Sequence, residues 1–251
     1  MRSKWVGWIL LSVWIGYTPV TWADKLADLI QRAEQGDAVA QTDLGTTYIL
    51  GSEVAKDYSQ AKKWFQVAAE HGNRLAQYHL GLMYVQGEGM PIDLNEARKW
   101  FLKAAKQGDV QSQFNLGLMY AKGEGVPRHY AEAFNWFLKA AEHGHSIAQV
   151  NLGLMYLRGE GVTKNPDEAV TWFRLSAEQG NAIAQFHLGL CYFDGEGVEK
   201  DDEEAYVWLA LAAAQGDEQA HGLLDKLETE LTPKQIADAQ KRAVERPSVL
   251  R

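Results

Sequence analysis

A single cysteine, Cys191, is the only thiol in this chain of 251 residues. One thiol cannot close an intramolecular disulfide, and it excludes four-thiolate zinc sites and C-x-x-C redox motifs. Positive charge is scarce as well. The 25 basic residues are outnumbered by 33 acidic ones, for a formal charge of −8. That balance argues against nucleic acid, whose phosphates demand a Lys/Arg surplus, and against docking on anionic lipid through charge alone. No apolar run reaches the ~20 residues that a membrane-spanning helix needs. What remains, 46% hydrophobic and 23% charged residues, is the composition of an ordinary folded protein.

The apolar run at residues 5–17 (WVGWILLSVWIGY) stands behind Arg2 and Lys4 and is broken by Pro19. Small residues follow at Thr21 and Ala23. A basic start, a short apolar core and a small-residue site are the parts of a secretory signal. Residues 1–23 are expected to be a signal peptide cut after Ala23, leaving a mature chain that is periplasmic or secreted. Four of the nine tryptophans lie in this segment.

Everything beyond it repeats. Gly36, Gly72, Gly108, Gly144, Gly180 and Gly216 are spaced by 36 residues. The same step carries Leu44-Gly45 to Leu188-Gly189, Tyr48 to Tyr192 and Ala61 to Ala205. The other five tryptophans, Trp64, Trp100, Trp136, Trp172 and Trp208, obey it too. Such a period marks a repeat architecture. The expected organisation is a capping helix at 24–36, repeats at 37–72, 73–108, 109–144, 145–180 and 181–216, and a degenerate half-repeat with a last capping helix at 217–251.

Each unit reads as two helices. A first helix (A) opens after Asp37, Asn73, Asp109, His145, Asn181 or Asp217, most of them strong N-caps, and stops about 13 residues later at Gly51 or its equivalents. After a turn that reads GEG in four units, a second helix (B) opens at Asp57, Asp93, Asn165 or Asp201. Helical spacing puts Ala76, Leu80, Met83 and Tyr84 on one buried side of helix A. Ala97, Trp100, Phe101, Ala104 and Ala105 form the matching stripe of helix B. One such pair cannot bury both faces alone, so the units must stack into a solenoid.

The unit AQxxLGLMYxxGEGVxxxxxEAxxWFxKAAExG resembles the Sel-1-like repeat, a relative of the tetratricopeptide repeat. The resemblance runs over residues 37–216 and implies an all-α, right-handed α/α superhelix that binds proteins or peptides. It implies roles such as exported adaptor or immunity protein against a secreted toxic effector. Unit one departs from the pattern, with Ser52-Glu53 in place of the GEG turn and Thr46-Thr47 in place of Leu-Met. Some cysteine-rich relatives bind β-lactams, and Ser59-Gln60-Ala61-Lys62 matches S-x-x-K. No K-T-G or S-D-N companion exists, however, and Ala61 is a packing position, so a hydrolase is the remote alternative.

Little else in the chain suggests chemistry. His79 and His187 share a register three units apart, roughly 30 Å at ~10 Å per packed helix, too far to share a metal. The turn glutamates Glu88, Glu124, Glu160 and Glu196 recur once per unit and read as a solvated edge. GEG is not continued as a nucleotide loop. No catalysis, cofactor or metal is expected. The informative face is the side of helix A opposite Leu44 and Tyr48. There, polar residues (Asp43, His79, Asn115, Asn151, His187) are flanked by Leu82, Leu118, Leu154 and Leu190, with Lys122 and Arg158 at its edge. Amides to bond a backbone and aliphatics to receive side chains suit an extended peptide. In the relatives this face lines the concave groove. His79, Leu82, Asn115, Leu118, Lys122, Asn151, Leu154, Arg158, His187 and Leu190 are thus the expected partner-binding residues. The partner is expected to be another protein or peptide, not nucleic acid or membrane, with the chain itself a monomer.

Overall fold

The computed structural model of the chain describes residues 22–52 and 54–246. Of the expected signal peptide, residues 1–21 lie outside the described residues, while Trp22 and Ala23 open the first helix. The described residues form thirteen helices and no strand. After α1 (Trp22–Glu34), the A and B helices alternate. They are α2 (Ala38–Leu50) with α3 (Tyr58–Glu70), α4 (Arg74–Gln86) with α5 (Leu94–Lys106), and α6 (Val110–Lys122) with α7 (Tyr130–Glu142). Next come α8 (Ser146–Arg158) with α9 (Pro166–Glu178), then α10 (Ala182–Asp194) with α11 (Asp202–Ala213). The chain closes with α12 (Glu218–Glu230) and α13 (Pro233–Glu245). From α1 to α12 each helix packs on its neighbours in sequence, which makes the molecule a solenoid.

The expected caps are in place. Asp37, Asn73, Asp109, Asn181 and Asp217 accept backbone N–H bonds at the starts of A helices, and Asp57, Asp93, Asn165 and Asp201 do so for B helices. The middle of the molecule differs. Its α7 and α8 are capped by imidazoles, His129 Nδ1 accepting from Glu132 N and His145 Nδ1 from Ala148 N.

The tryptophan row is less buried than its spacing suggests. Phe65, Phe101, Phe137 and Phe173, one residue further on, are the fully buried side chains, whereas Trp64, Trp100, Trp136 and Trp172 are half-buried. The cause is the glycine of Leu-Gly. A Cβ at Gly117 would lie 2.5 Å from the Phe137 ring, so helix A comes close enough to touch that ring with bare backbone. Trp100 and Trp136 sit at the rim, where each ring meets a cation: Lys103 lies 3.8 Å from the Trp100 ring and Lys139 4.2 Å from that of Trp136, whereas Trp208 of unit five is buried.

Adjacent units are joined by a glutamine in each A helix. Gln41, Gln77, Gln113, Gln149 and Gln185 are buried, and each amide donates to the last-turn carbonyl of the preceding helix, Ala33, Ala69, Ala105, Ala141 or Ala177. Each of these carbonyls already accepts from the boundary glycine three residues on, so the glutamine of the next unit fills its second lone pair. Gln107, Gln179 and Gln215 donate in turn to Gln77, Gln149 and Gln185.

The solenoid stops at Asp225, which stands in the register of Gly189. A carboxylate side chain there denies a sixth B helix the close approach that glycine allows. Accordingly α13 packs on α11 rather than on α12. Glu204 receives Arg242 and, at 2.9 Å, Arg246, whose guanidinium also lies 4.1 Å from the Trp208 ring. Thr232 and Gln235 close a capping box at the start of α13.

Candidate functional site

Burial separates the two sides of the A helices. Among the described residues, nine large hydrophobics are exposed, and four of them occupy one register: Val39, Leu75, Ile147 and Ile183 are 47–57% accessible. Gln111 holds the same place in unit three and is also exposed. The residues expected to line the groove lie next to this row. Leu82, Leu118, Leu154 and Leu190 are half-buried, and the first three also pack into the core between units. They therefore offer a partner only part of their surface.

The polar strip is more committed than the sequence suggests. Asn115 Nδ2 donates to Gln111 O at 2.8 Å and Asn151 Nδ2 to Ile147 O at 2.7 Å, one turn back on the same helix. Among the described residues nothing donates to either amide oxygen. His79 stacks on Phe65 and His187 on Phe173, with ring centroids 4.9 and 5.1 Å apart. One face of each imidazole is thus packing surface. Lys122 and Arg158 are exposed but lie 3.9 and 4.0 Å from the turn glutamates Glu124 and Glu160. Their charge is locally answered, which leaves less of it for an acidic group of a partner.

Among the described residues no group of His, Cys, Asp or Glu could hold a metal ion. Cys191 is buried, and that burial pushes its thiol up to about 12, far from thiolate chemistry. The glutamates of the turns carry structural bonds, as where Tyr58 donates to Glu88 at 2.7 Å and Lys164 lies 3.0 Å from Glu196. A pocket of 420 Å³ does open on the A-helix side, between α2 and α4. The sequence offered no signal for it beyond the register of its walls.

Stacked A/B helix pairs repeated every 36 residues define a right-handed α/α repeat solenoid. The chain belongs to the Sel1 repeat family, whose sequence pattern matches residues 38–73, 74–109, 110–145, 146–181 and 182–217. Sel1 repeat proteins are typically protein-interaction scaffolds without enzymatic activity. A Sel1 repeat protein from Oxalobacter formigenes is 34% identical, covers 88% of this chain and 93% of its own, and superimposes with a TM-score of 0.74. A protective antigen with an SLR fold from uropathogenic Escherichia coli is also 34% identical, with a TM-score of 0.59, over 89% of this chain and 56% of that one. The secretory immunoglobulin A-binding protein EsiB of Escherichia coli O6:H1 is 48% identical over 44 residues, 18% of this chain and 9% of that protein. The chain thus spans a small part of that relative. No described helix is long and apolar enough to cross a membrane.

The imidazoles make stability depend on pH. His145 caps α8 through Nδ1 and stacks on Phe114 at 4.4 Å, and its burial lowers its pKa. Burial also lowers His79 and His187, the latter helped by the charge of Arg158. A lowered folded pKa means that the unfolded chain binds protons first as pH falls. The stability is therefore complete above the unfolded imidazole value of about 6.5 and is lost as pH drops through the folded values below it. Thermal unfolding at pH 7 and pH 5 should show the lower melting temperature at pH 5. His145→Asn should remove part of that difference, since an amide caps without titrating. A melting temperature that does not fall between pH 7 and 5 would contradict the imidazole assignments.

Proposed function

We propose that the chain is an exported scaffold, periplasmic or secreted, that holds an extended segment of another protein along the concave face of its A helices. The observation that carries this reading is the row of Val39, Leu75, Ile147 and Ile183, exposed aliphatics in four of the five units along a single line. A core residue has no need of this exposure, and the B helices have no comparable row among the described residues. The half-buried leucines and free amide oxygens beside it offer apolar contact and backbone hydrogen bonds together. Export is supported by the expected signal in residues 1–23, and a protein ligand by a relative named for binding an immunoglobulin.

The chain, immobilised through a carboxy-terminal tag, is expected to retain a discrete protein from the periplasmic extract of its own cells. The double variant Ile147→Glu/Ile183→Glu should retain at least about tenfold less, as two carboxylates in an apolar contact cost more than 1.4 kcal/mol. Undiminished retention would move the site off this face. Asn115→Ala/Asn151→Ala should leave stability within about 1 kcal/mol yet weaken binding by roughly 1–3 kcal/mol, measured by calorimetry against the retained protein. A single folded enzyme held very tightly would mark an immunity role, and several proteins held weakly an adaptor.

A further inference from the structure

In a repeat protein, exposed residues that depart from the repeating pattern are not explained by the packing of the repeat. Two such departures meet at one place. In the polar register, where other units carry His79, Asn115, Asn151 and His187, unit one alone carries a carboxylate, Asp43. At the first position of the A helices, where the others carry Ala38, Val110, Ser146 and Ala182, unit two alone carries a cation, Arg74. Both line the 420 Å³ pocket between α2 and α4, whose apolar walls are Val39 and Leu75.

The remaining polar lining is already engaged. Thr42 donates to Ala38 O at 2.7 Å, Asn73 caps α4, and Gln107 donates to Gly72 O and Gln77 Oε1. Arg74 donates to Gln107 O at 3.3 Å. Among the described residues the Asp43 carboxylate receives no donor and makes no ion pair, although Arg74 lines the same pocket. Arg32 lies near enough to feel the Asp43 charge, but its guanidinium is held by Asp37 at 2.6 Å, so the carboxylate is left without a direct partner in a chain of net charge −8. We infer that this pocket is an anchoring subsite for a partner segment in which an aliphatic side chain adjoins a lysine or arginine. The aliphatic group lies between Val39 and Leu75, the cation meets Asp43, and Arg74 donates to a carbonyl of the segment. This rests on the reading of the A-helix face as the binding face, and it adds the sign of charge that the face selects at its unit-one end.

The test uses small probes and the full mature chain. N-acetyl-leucyl-lysine amide, titrated into isotope-labelled protein, should shift the amide resonances of residues 39–43 and 73–75. The glutamate analogue, N-acetyl-leucyl-glutamate amide, should bind about threefold more weakly, the scale of one exposed ion pair. Asp43→Asn, an exposed substitution whose fold is checked by circular dichroism, should abolish that preference. Equal affinity for the two probes, a preference that survives in D43N, or shifts confined to other residues would overturn the inference. If a partner still cross-links at Ile147, only the pocket's chemistry has failed. If cross-linking there fails as well, the binding face itself is wrong.

Discussion

Phe137→Ala should lower the free energy of unfolding by about 4 kcal/mol, and Trp136→Ala, its neighbour, by only about half as much. The order is opposite to what side-chain size suggests. Phe137 is 1% accessible, with its ring against the bare backbone of Gly117 and 5.8 Å from the ring of Phe114. Truncation there opens a cavity that neither helix can fill, because glycine has no side chain to move in. Trp136 is half-buried beneath Lys139, so part of its surface is already in contact with water. Urea unfolding of both variants measures the difference. A larger loss for Trp136→Ala would mean that the tryptophan row, rather than the phenylalanine row, forms the contact between A and B helices.

Gly161→Ala should cost about 3 kcal/mol, whereas Gly159→Ala, two residues away, should cost about 1 kcal/mol. Both glycines have positive φ, 74° and 70°, so both substitutions carry the strain of an L-residue in the left-handed region. Only Gly161 faces the backbone of another unit. A Cβ there would stand 2.4 Å from the carbonyl carbon and oxygen of Tyr130, at the start of the preceding B helix. At Gly159 the nearest atoms are 3.5 Å away. The added cost at Gly161 is the displacement of one unit against the next, of the size seen when a packed interior is overfilled. Equal effects in thermal unfolding would show that the turn is not an inter-unit contact.

This pair also shows why the GEG turn has its form. Its last glycine, repeated as Gly89, Gly125, Gly161 and Gly197, meets the first residue of the preceding B helix each time: Tyr58, Leu94, Tyr130 or Pro166.

The period of 36 residues and the cap residues were enough to place the helices, because each boundary glycine and each Asp or Asn acts locally. Asp57, Asp93 and Asn165 needed no tertiary information to be read as caps. Burial along the B helix was harder. Trp136 and Phe137 are adjacent and both apolar, and only the approach of Gly117 decides which ring is enclosed. The same limit applied to the face of helix A. Period alone put Asn115, Asn151, His79 and His187 opposite the core, but their hydrogen bonds to Gln111 and Ile147 and their stacking on Phe65 and Phe173 depend on rotamers and on the neighbouring unit. The pocket around Asp43 and Arg74 was invisible for a related reason. Its two charges are 31 positions apart and meet only once the units stack.

The central claim is that partners bind the A-helix face, and a matched pair of exposed residues tests it. Ile147 on α8 is 47% accessible and Leu175 on α9 is 43% accessible, so they differ in face rather than in exposure. A photo-reactive benzoylphenylalanine placed at either position, in the native cell, reports which face a partner covers. An adduct of defined mass from Ile147 and none from Leu175 is the predicted result. An adduct from Leu175 alone would contradict it and place the binding surface on the B helices.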